Sequence, residues 1–442
     1  MKNFWVIYYY ECKKIFDRRQ TVVVFWLILI ATILLNLNSI LIYSVGSEGE
    51  ELPWNYVNEN GPQKSSGRSA FLNGVEIRWI DEDGAVVTEK VNPLAYIRLQ
   101  QEFARQWSGK KLDEETIQYL HDFVEKYEWD WETHDNYRIA WSYQNINWVW
   151  RTISNLGNNP GYEFLTGAMI QDRIEQVEVN LLYDYEQLTD EEQEFWQKHE
   201  KISFPLTMAY TPAYRQLLQN ASWIHILLVA FVIFALCESF SLERRWRTRP
   251  LVQVTAKGQG AAVLARLLAG ASVSAGAGVI LHGVSAVIQF ALFGTDGLNG
   301  WNAPIQQIGD YVWSRLAVTA WEAVLLMFGT SILILVFIGA FTMLLSEVFQ
   351  NGNVPMWVQY GFLLFSLLFD YGIFHRNRTL SQLWQYFPLQ RVNYTLLYDE
   401  RLVSVGGHLF TAIPFSTLVY CGFTFLALAL CGVHTVWHRR DT

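Results

Sequence analysis

From Thr21 to Tyr43 the chain carries no charged residue. At ~1.5 Å per helical residue, a run of this length crosses a hydrocarbon layer of ~30 Å, where only a structure that satisfies its own backbone polar groups survives. A membrane-spanning helix is the expectation. The apolar region of a cleaved leader is only about 7 to 15 residues long and ends at small residues. Here the run is longer and twenty residues precede it, so it is expected to remain as a span.

Further apolar runs extend from Ala221 to Cys237, Leu267 to Phe293, Ala323 to Ser346, Val354 to Phe369 and on to Phe374, and Leu409 to Val433. The fold class expected is a polytopic α-helical membrane protein of six transmembrane helices with an inserted, mostly helical α+β extracytoplasmic domain. The expected order is an interfacial helix (1–20), a first span (21–43), the inserted domain (46–220) and a second span (221–237). A cytoplasmic loop (238–260), a third span (261–293), an external loop (294–322) and a fourth span (323–346) follow. A short cytoplasmic loop (347–353), a fifth span (354–374), an external re-entrant segment (375–408), a sixth span (409–436) and a cytoplasmic tail (437–442) complete the chain.

Charge divides along the same lines. Residues 46–220 hold 15 Lys and Arg against 30 Asp and Glu, which leaves 18 against 12 elsewhere. A net charge of -9 repels phosphate backbones and excludes nucleic acid as the partner of the whole protein. The basic residues gather in three clusters: Lys2, Lys13, Lys14, Arg18 and Arg19; then Arg244, Arg245, Arg247, Arg249 and Lys257; then Arg439 and Arg440. By the positive-inside rule these are cytoplasmic, with both termini, and residues 46–220 are extracytoplasmic in a cell-membrane protein. Arg376, Arg378, Arg391 and Arg401 argue the other way and are outvoted.

The acidic segment reads as a domain with its own core. Val75, Ile77 and Trp79 alternate before a turn at Asp81 to Gly84, with Val86 and Val87 after it, a hairpin pattern. Pro93 opens a helical stretch through Trp107, and Ile117, Leu120, Phe123, Val124 and Tyr127 keep helical spacing. Thr189 followed by Glu192 is a capping box. Trp129, Trp131, Trp141, Trp148 and Trp150 fit a core or a lipid-headgroup surface better than a ligand site, and Asp130 with Glu132 reads as a solvated pair before it reads as acid and base.

Chemistry is sparse. Cys12, Cys237, Cys421 and Cys431 include no C-x-x-C pair, so no metal ligand set is spelled out. The chain has no phosphate-cradling G-x-x-x-x-G-K-[ST] loop and no H-E-x-x-H or G-x-S-x-G signature. His225, His282 and His434 lie in apolar runs with no partner visible in sequence, and are expected to be packed or interfacial. Arg266 is expected to snorkel to the headgroups, with Glu322 and Asp370 near outer span ends. Gly270, Ser274 and Gly278 recur every fourth residue, the spacing of close helix packing in lipid. Phe4, Trp5, Tyr8, Cys12 and Phe16 interleave with the first basic cluster, the pattern of a helix lying in the interface.

The arrangement resembles the membrane subunit of a type-2 ABC exporter with a large external domain between its first two spans. Phe234, Cys237, Glu238 and Glu243, then Val254 to Gly258 and Ala265 to Ala269, stand where that family has the end of span two and the start of span three. Leu383 to Pro388 resembles the family's short external re-entrant element. The tract Glu243-Arg244-Arg245-Trp246-Arg247-Thr248 departs from the family's usual Glu-x-x-x-Gly-Thr, and Arg266 stands for the usual lysine. The resemblance implies a permease moving an unidentified peptide, lipid, drug or polymer outward. It implies no catalytic residue or cofactor in this chain, ATP and magnesium in separate ATPase subunits, and a second permease chain, identical or related. Glu238, Glu243, Arg244, Arg245, Arg247, Arg249 and Lys257 would then form the ATPase-coupling segment. The alternatives are a membrane-tethered sensor with an external ligand domain and, more remotely, an intramembrane protease.

Overall fold

The computed structural model describes residues 2–46, 75–80, 86–91, short runs between 94 and 111, 189–199, 207, 209–245, 260–294, 300–308, 311, 314, 316–349, 351–368, 378–397 and 401–437. These are mostly helical, and five helices are long and apolar enough to cross a membrane, the make-up of a polytopic helical membrane protein. In chain order the helices are α1 (Lys2–Phe16), α2 (Arg19–Gly46), α3 (Asp190–His199), α4 (Pro212–Leu236), α5 (Ser241–Arg245), α6 (Ala261–Phe293), α7 (Ala320–Val348), α8 (Asn353–Leu368), α9 (Arg378–Gln385), α10 (Pro388–Arg391) and α11 (Ala412–Trp437). The strands are β1 (Val75–Ile80), β2 (Val86–Val91), β3 (Val403–Val405) and β4 (His408–Phe410).

Several boundaries move from their expected places for local reasons. Pro212 sits at the first position of α4, where a missing N–H goes unneeded, so this helix starts well before the apolar run at Ala221. At the start of α7 the carboxylate of Glu322 accepts from the Thr319 amide at 2.8 Å, while the Thr319 hydroxyl accepts from the Glu322 amide at 3.3 Å. This reciprocal cap sets the helix's first turn. The expected fifth crossing is a helix of 16 residues, about 24 Å at the helical rise, shorter than the other apolar helices. Residues 369–377 lie outside the described residues.

The chain divides into two compact units. The first comprises Met1–Thr32, Gln219–Val284 and Leu325–Thr442. Its core is built on close approach between α6 and α7. A Cβ on Gly270 would strike the Met343 side chain, and one on Gly278 would lie 2.9 Å from Ile332 Cγ1 and 3.0 Å from Leu335 Cδ1. From the other side, a Cβ on Gly339 would strike Ser274 Oγ, whose hydroxyl donates to the Gly270 carbonyl at 2.9 Å. Without a hydrophobic drive between spans, such backbone proximity is what dispersion and weak polar contacts require. Polar side chains join other helices: the Thr342 hydroxyl reaches Gln359 Oε1 at 3.0 Å, and the Tyr360 hydroxyl donates to the Ala230 carbonyl at 2.9 Å.

Segments after α8 fold back on this core. Phe387 stacks on Phe362 at 5.2 Å between centroids, the Tyr420 hydroxyl donates to the Tyr386 carbonyl at 2.6 Å, and Gln390 Nε2 donates to the Ser366 carbonyl at 2.8 Å. Arg391 and Arg401 are fully buried here. The first lies over the Tyr386 ring at 4.9 Å, and the second donates to Ser381 Oγ at 2.9 Å. Outward, α2 leaves Val23, Trp26, Leu27 and Ile30 exposed at intervals of one and three residues, and α11 leaves Phe423, Phe425, Leu426 and Leu430 exposed. Apolar faces of this size suit lipid.

The second unit comprises Ile33–Leu218 and Ser285–Val324. Strands β1 and β2 pair antiparallel, Val75 opposite Val91 and Ile80 opposite Val86, in the hairpin that the alternating residues predict. The amide of Thr189 donates to Glu192 Oε2 at 2.9 Å and the Glu192 amide to Thr189 Oγ1 at 3.3 Å, which caps α3 as expected. Asn36 is buried, with Oδ1 accepting from Ser285 Oγ at 2.7 Å and from Gln289 Nε2 at 2.9 Å. Gly300 packs so closely that a Cβ would strike the carbonyl oxygen of Tyr210. The helix through Trp107, the apolar positions from Ile117 to Tyr127, the Trp129–Trp150 cluster and the Asp130/Glu132 pair lie outside the described residues, apart from Leu94, Ile97, Arg98 and Gln101.

Candidate functional site

The residues with the densest polar chemistry gather where α1, the end of α4, α5 and the start of α6 meet in the first unit. Helix α1 turns Glu11, Lys14 and Ile15 to one side, with Arg18 just beyond its end, while Trp5, Val6, Tyr9 and Tyr10 stay exposed on the other. Of the residues expected on the apolar side, Trp5 and Phe16 are exposed and Phe4, Tyr8 and Cys12 are half-buried.

Arg266, near the start of α6, is the hub. Its Nε lies 3.0 Å from Glu11 Oε2 and its Nη2 3.1 Å from Glu11 Oε1, a bidentate fork, and Nη2 also donates to Glu243. The guanidinium lies over the Phe240 ring at 4.7 Å. Lys14 Nζ completes the group, 2.7 Å from Glu243 Oε1 and 3.8 Å from Glu11. Arg266 is 7% exposed. Snorkelling to the headgroups is therefore replaced by an internal ion cluster, because two carboxylates within reach solvate the guanidinium better than a long exit path.

A second cluster adjoins it. Glu238 accepts from Arg245 Nη1 at 3.0 Å and pairs with Arg18 Nη2 at 3.4 Å, and Arg18 Nη1 donates to the Ala235 carbonyl at 3.1 Å. The Arg245 side chain is 59% exposed, so its share is screened and amounts to about 0–1 kcal/mol. Four cations thus face three carboxylates. Between them lies a recess of about 20 Å³, with room for one water, bordered by Glu11, Lys14, Arg18, Glu238 and Arg266. Beneath it, Ser346 Oγ of α7 accepts from the amides of Phe240 at 3.1 Å and Ser241 at 3.3 Å. Gly352 packs so tightly that a Cβ would lie 2.6 Å from Glu238 Cγ and 2.9 Å from Ser241 Oγ.

Of the residues expected to form a coupling surface, Glu238 and Glu243 are brought into these clusters and Arg245 stands at the exposed edge. Arg244 belongs to α5. Arg247, Arg249 and Lys257 lie outside the described residues. Gly270, Ser274 and Gly278 line the contact between α6 and α7 within the chain. Sequence reading missed Glu11 and the inward turn of Arg266. The available signal was Glu11, the one acid of α1 among its lysines.

The arrangement ties α1, α5 and the ends of α4 and α6 together through paired charges. Among the described residues no group of three His, Cys, Asp or Glu side chains is placed to hold a metal ion. No protein-family model, curated protein or solved structure matches the chain.

Proposed function

We propose that the chain is the six-span membrane subunit of an ATP-driven exporter, working with a second permease chain and with separate ATPase subunits. In this reading α8 with the residues after it supplies the remaining crossing. Both termini and residues 238–260 face the cytoplasm, and residues 46–220 lie outside.

The observation that carries this reading is the ion cluster centred on Arg266. A basic loop that a cytoplasmic ATPase grips needs a stiff connection to the spans, and here α1, α5 and the ends of α4 and α6 are tied together by Glu11, Glu238, Glu243, Lys14, Arg18 and Arg266. Movement imposed on the 241–260 segment would reach α1, α4 and α6 as one body. That is the connection a two-state cycle of inward and outward access requires. Orientation gains support as well. Arg391 and Arg401, two of the arginines that argue against it, are buried structural groups and not loop charges.

The test is co-expression with a P-loop ATPase encoded beside the chain, followed by co-purification in lipid. The wild type is expected to elute with the ATPase and to show hydrolysis stimulated by its cargo, sought among peptides, lipids, drugs and polymers. Replacing Arg244, Arg245, Arg247 and Lys257 together by alanine is expected to abolish both while the melting temperature holds. Unchanged association and export in that variant would overturn the proposal.

A further inference from the structure

Three apolar helices of the first unit each bring one polar side chain to a common point. His225 of α4, His282 of α6 and Ser331 of α7 are fully buried. Ser331 Oγ lies 2.9 Å from His225 Nδ1 and 2.9 Å from His282 Nε2. His225 Nε2 lies 3.0 Å from the carbonyl oxygen of Pro388. His282 stacks on Phe328 at 4.3 Å between centroids, and its Nδ1 is buried with no hydrogen-bond partner among the described residues.

The hydrogen positions follow from the donor and acceptor inventory. A carbonyl only accepts, so His225 Nε2 carries hydrogen and donates to Pro388. Neutral His225 then offers Nδ1 as an acceptor, and the one hydroxyl hydrogen of Ser331 fills it. The Ser331 oxygen is left to accept from His282 Nε2–H. His282 Nδ1 remains as a bare lone pair. The reverse polarity holds one proton more, on His225, with the His282 hydrogen on Nδ1, so it does not arise while both rings are neutral. Every bond in the chain therefore points from His282 towards Pro388, and the chain begins at an empty acceptor.

We propose that His282, Ser331 and His225 form an intramembrane proton-binding site whose proton enters at His282 Nδ1. On loading, an Nδ1–H bond forms on His282. The Nε2–H bond of His282 breaks as that hydrogen passes to Ser331 Oγ, and the original hydroxyl hydrogen passes to His225 Nδ1. His282 ends neutral, with its hydrogen on Nδ1. The positive charge rests on His225, whose two N–H groups donate to the Ser331 and Pro388 oxygens. No other reactant is needed.

Ionisable groups at such depth mark proton or ion pathways when they have partners, and the partners here are explicit. The two histidines are each other's ionisable neighbours across α4 and α6, and α7 contributes the uncharged Ser331 and Phe328. The segment carrying Pro388 contributes one charge, Arg391, held over Tyr386. Loading turns the bond to Pro388 into a charge-assisted one, so a proton strengthens the tie between α4 and the start of α10.

The test uses the full chain, labelled with 15N at histidine, in nanodiscs of phosphatidylcholine and phosphatidylglycerol. Magnetic resonance follows it from about pH 8 to about pH 5, the window in which imidazoles change charge. The His225 and His282 signals, assigned by their loss in His225→Gln and His282→Gln, are expected to change together with uptake of a single proton. His282→Gln keeps an amide donor for Ser331 but removes the bare nitrogen, and His225 should then stay neutral throughout. Ser331→Ala should uncouple the rings, and Ser331→Thr, which keeps the hydroxyl, should restore joint uptake even if the alanine variant does not fold. Two rings that remain neutral across the window, or that titrate indifferently to each other's replacement, would overturn the proposal. No ATPase or cargo enters the experiment, so its outcome is independent of the exporter reading.

Discussion

Arg266 and Glu11, 255 positions apart in sequence, meet through two nearly parallel hydrogen bonds of 3.0 and 3.1 Å. The pair fastens a helix at the chain's beginning to a helix long and apolar enough to cross a membrane, more than half the chain away. Arg266 has no equivalent substitute: a lysine at 266 would keep the charge and lose the fork.

Removing the guanidinium is expected to be costly. Arg266→Ala leaves Glu11 and Glu243 partly buried with Lys14 as their shared cation, and breaking such a pair destabilises by about 3–5 kcal/mol. Thermal unfolding of the purified chain in detergent reads this directly. Arg266→Lys should fall between alanine and wild type. Equal melting of the three proteins would remove the ion cluster from any structural role.

The contact between α6 and α7 makes a graded prediction. At Gly270 an added methyl meets the flexible end of Met343, which can swing aside. At Gly339 it meets Ser274 Oγ, anchored on the Gly270 carbonyl, with Leu236 Cδ1 3.1 Å away. Gly339→Ala should therefore cost about 1–3 kcal/mol and Gly270→Ala less. Adding Ser274→Gly to Gly339→Ala should recover most of the loss. A double variant no more stable than Gly339→Ala alone would refute this packing.

Helix α3 depends on its reciprocal cap. Thr189→Ala removes the acceptor for the Glu192 amide and is expected to weaken the helix by about 0.5–2 kcal/mol. Hydrogen exchange of the amides from Glu191 to Phe195 should quicken accordingly, by more than in Thr189→Ser, which preserves the hydroxyl. Identical exchange in the two variants would count against the cap.

The two sides of α1 differ in what they meet. Tyr9 is 62% exposed on the apolar side, whereas Ile15 is buried against the ion cluster. A nitroxide on Tyr9→Cys should therefore be relaxed strongly by oxygen dissolved in lipid, and one on Ile15→Cys weakly. Preferential relaxation of the Tyr9 label by a water-soluble reagent would place this side in the aqueous phase.

Much of the frame was legible because it rests on local signals. Long uncharged runs predict α2, α4, α6, α7 and α11, alternation predicts the β1–β2 pairing, and Thr189 with Glu192 predicts a helix start. The site was not, because its residues meet across long separations that no periodicity records. Glu11 with Arg266, and His225 with Ser331 and His282, become neighbours only when separate helices pack. Arg391 and Arg401 look like loop charges in sequence, and only the fold reveals them as interior groups. Span ends also drifted, since Pro212 and the Thr319–Glu322 cap extend helices past the apolar runs that signal them.

Ser346 supplies the oxygen that receives the amides of Phe240 and Ser241, so α4 is finished by a hydroxyl more than a hundred residues downstream. During synthesis those amides emerge from the ribosome long before their acceptor exists. The exit of α4 must stay hydrated until α7 arrives, and this end of α4 closes only after the chain has been translated through α7.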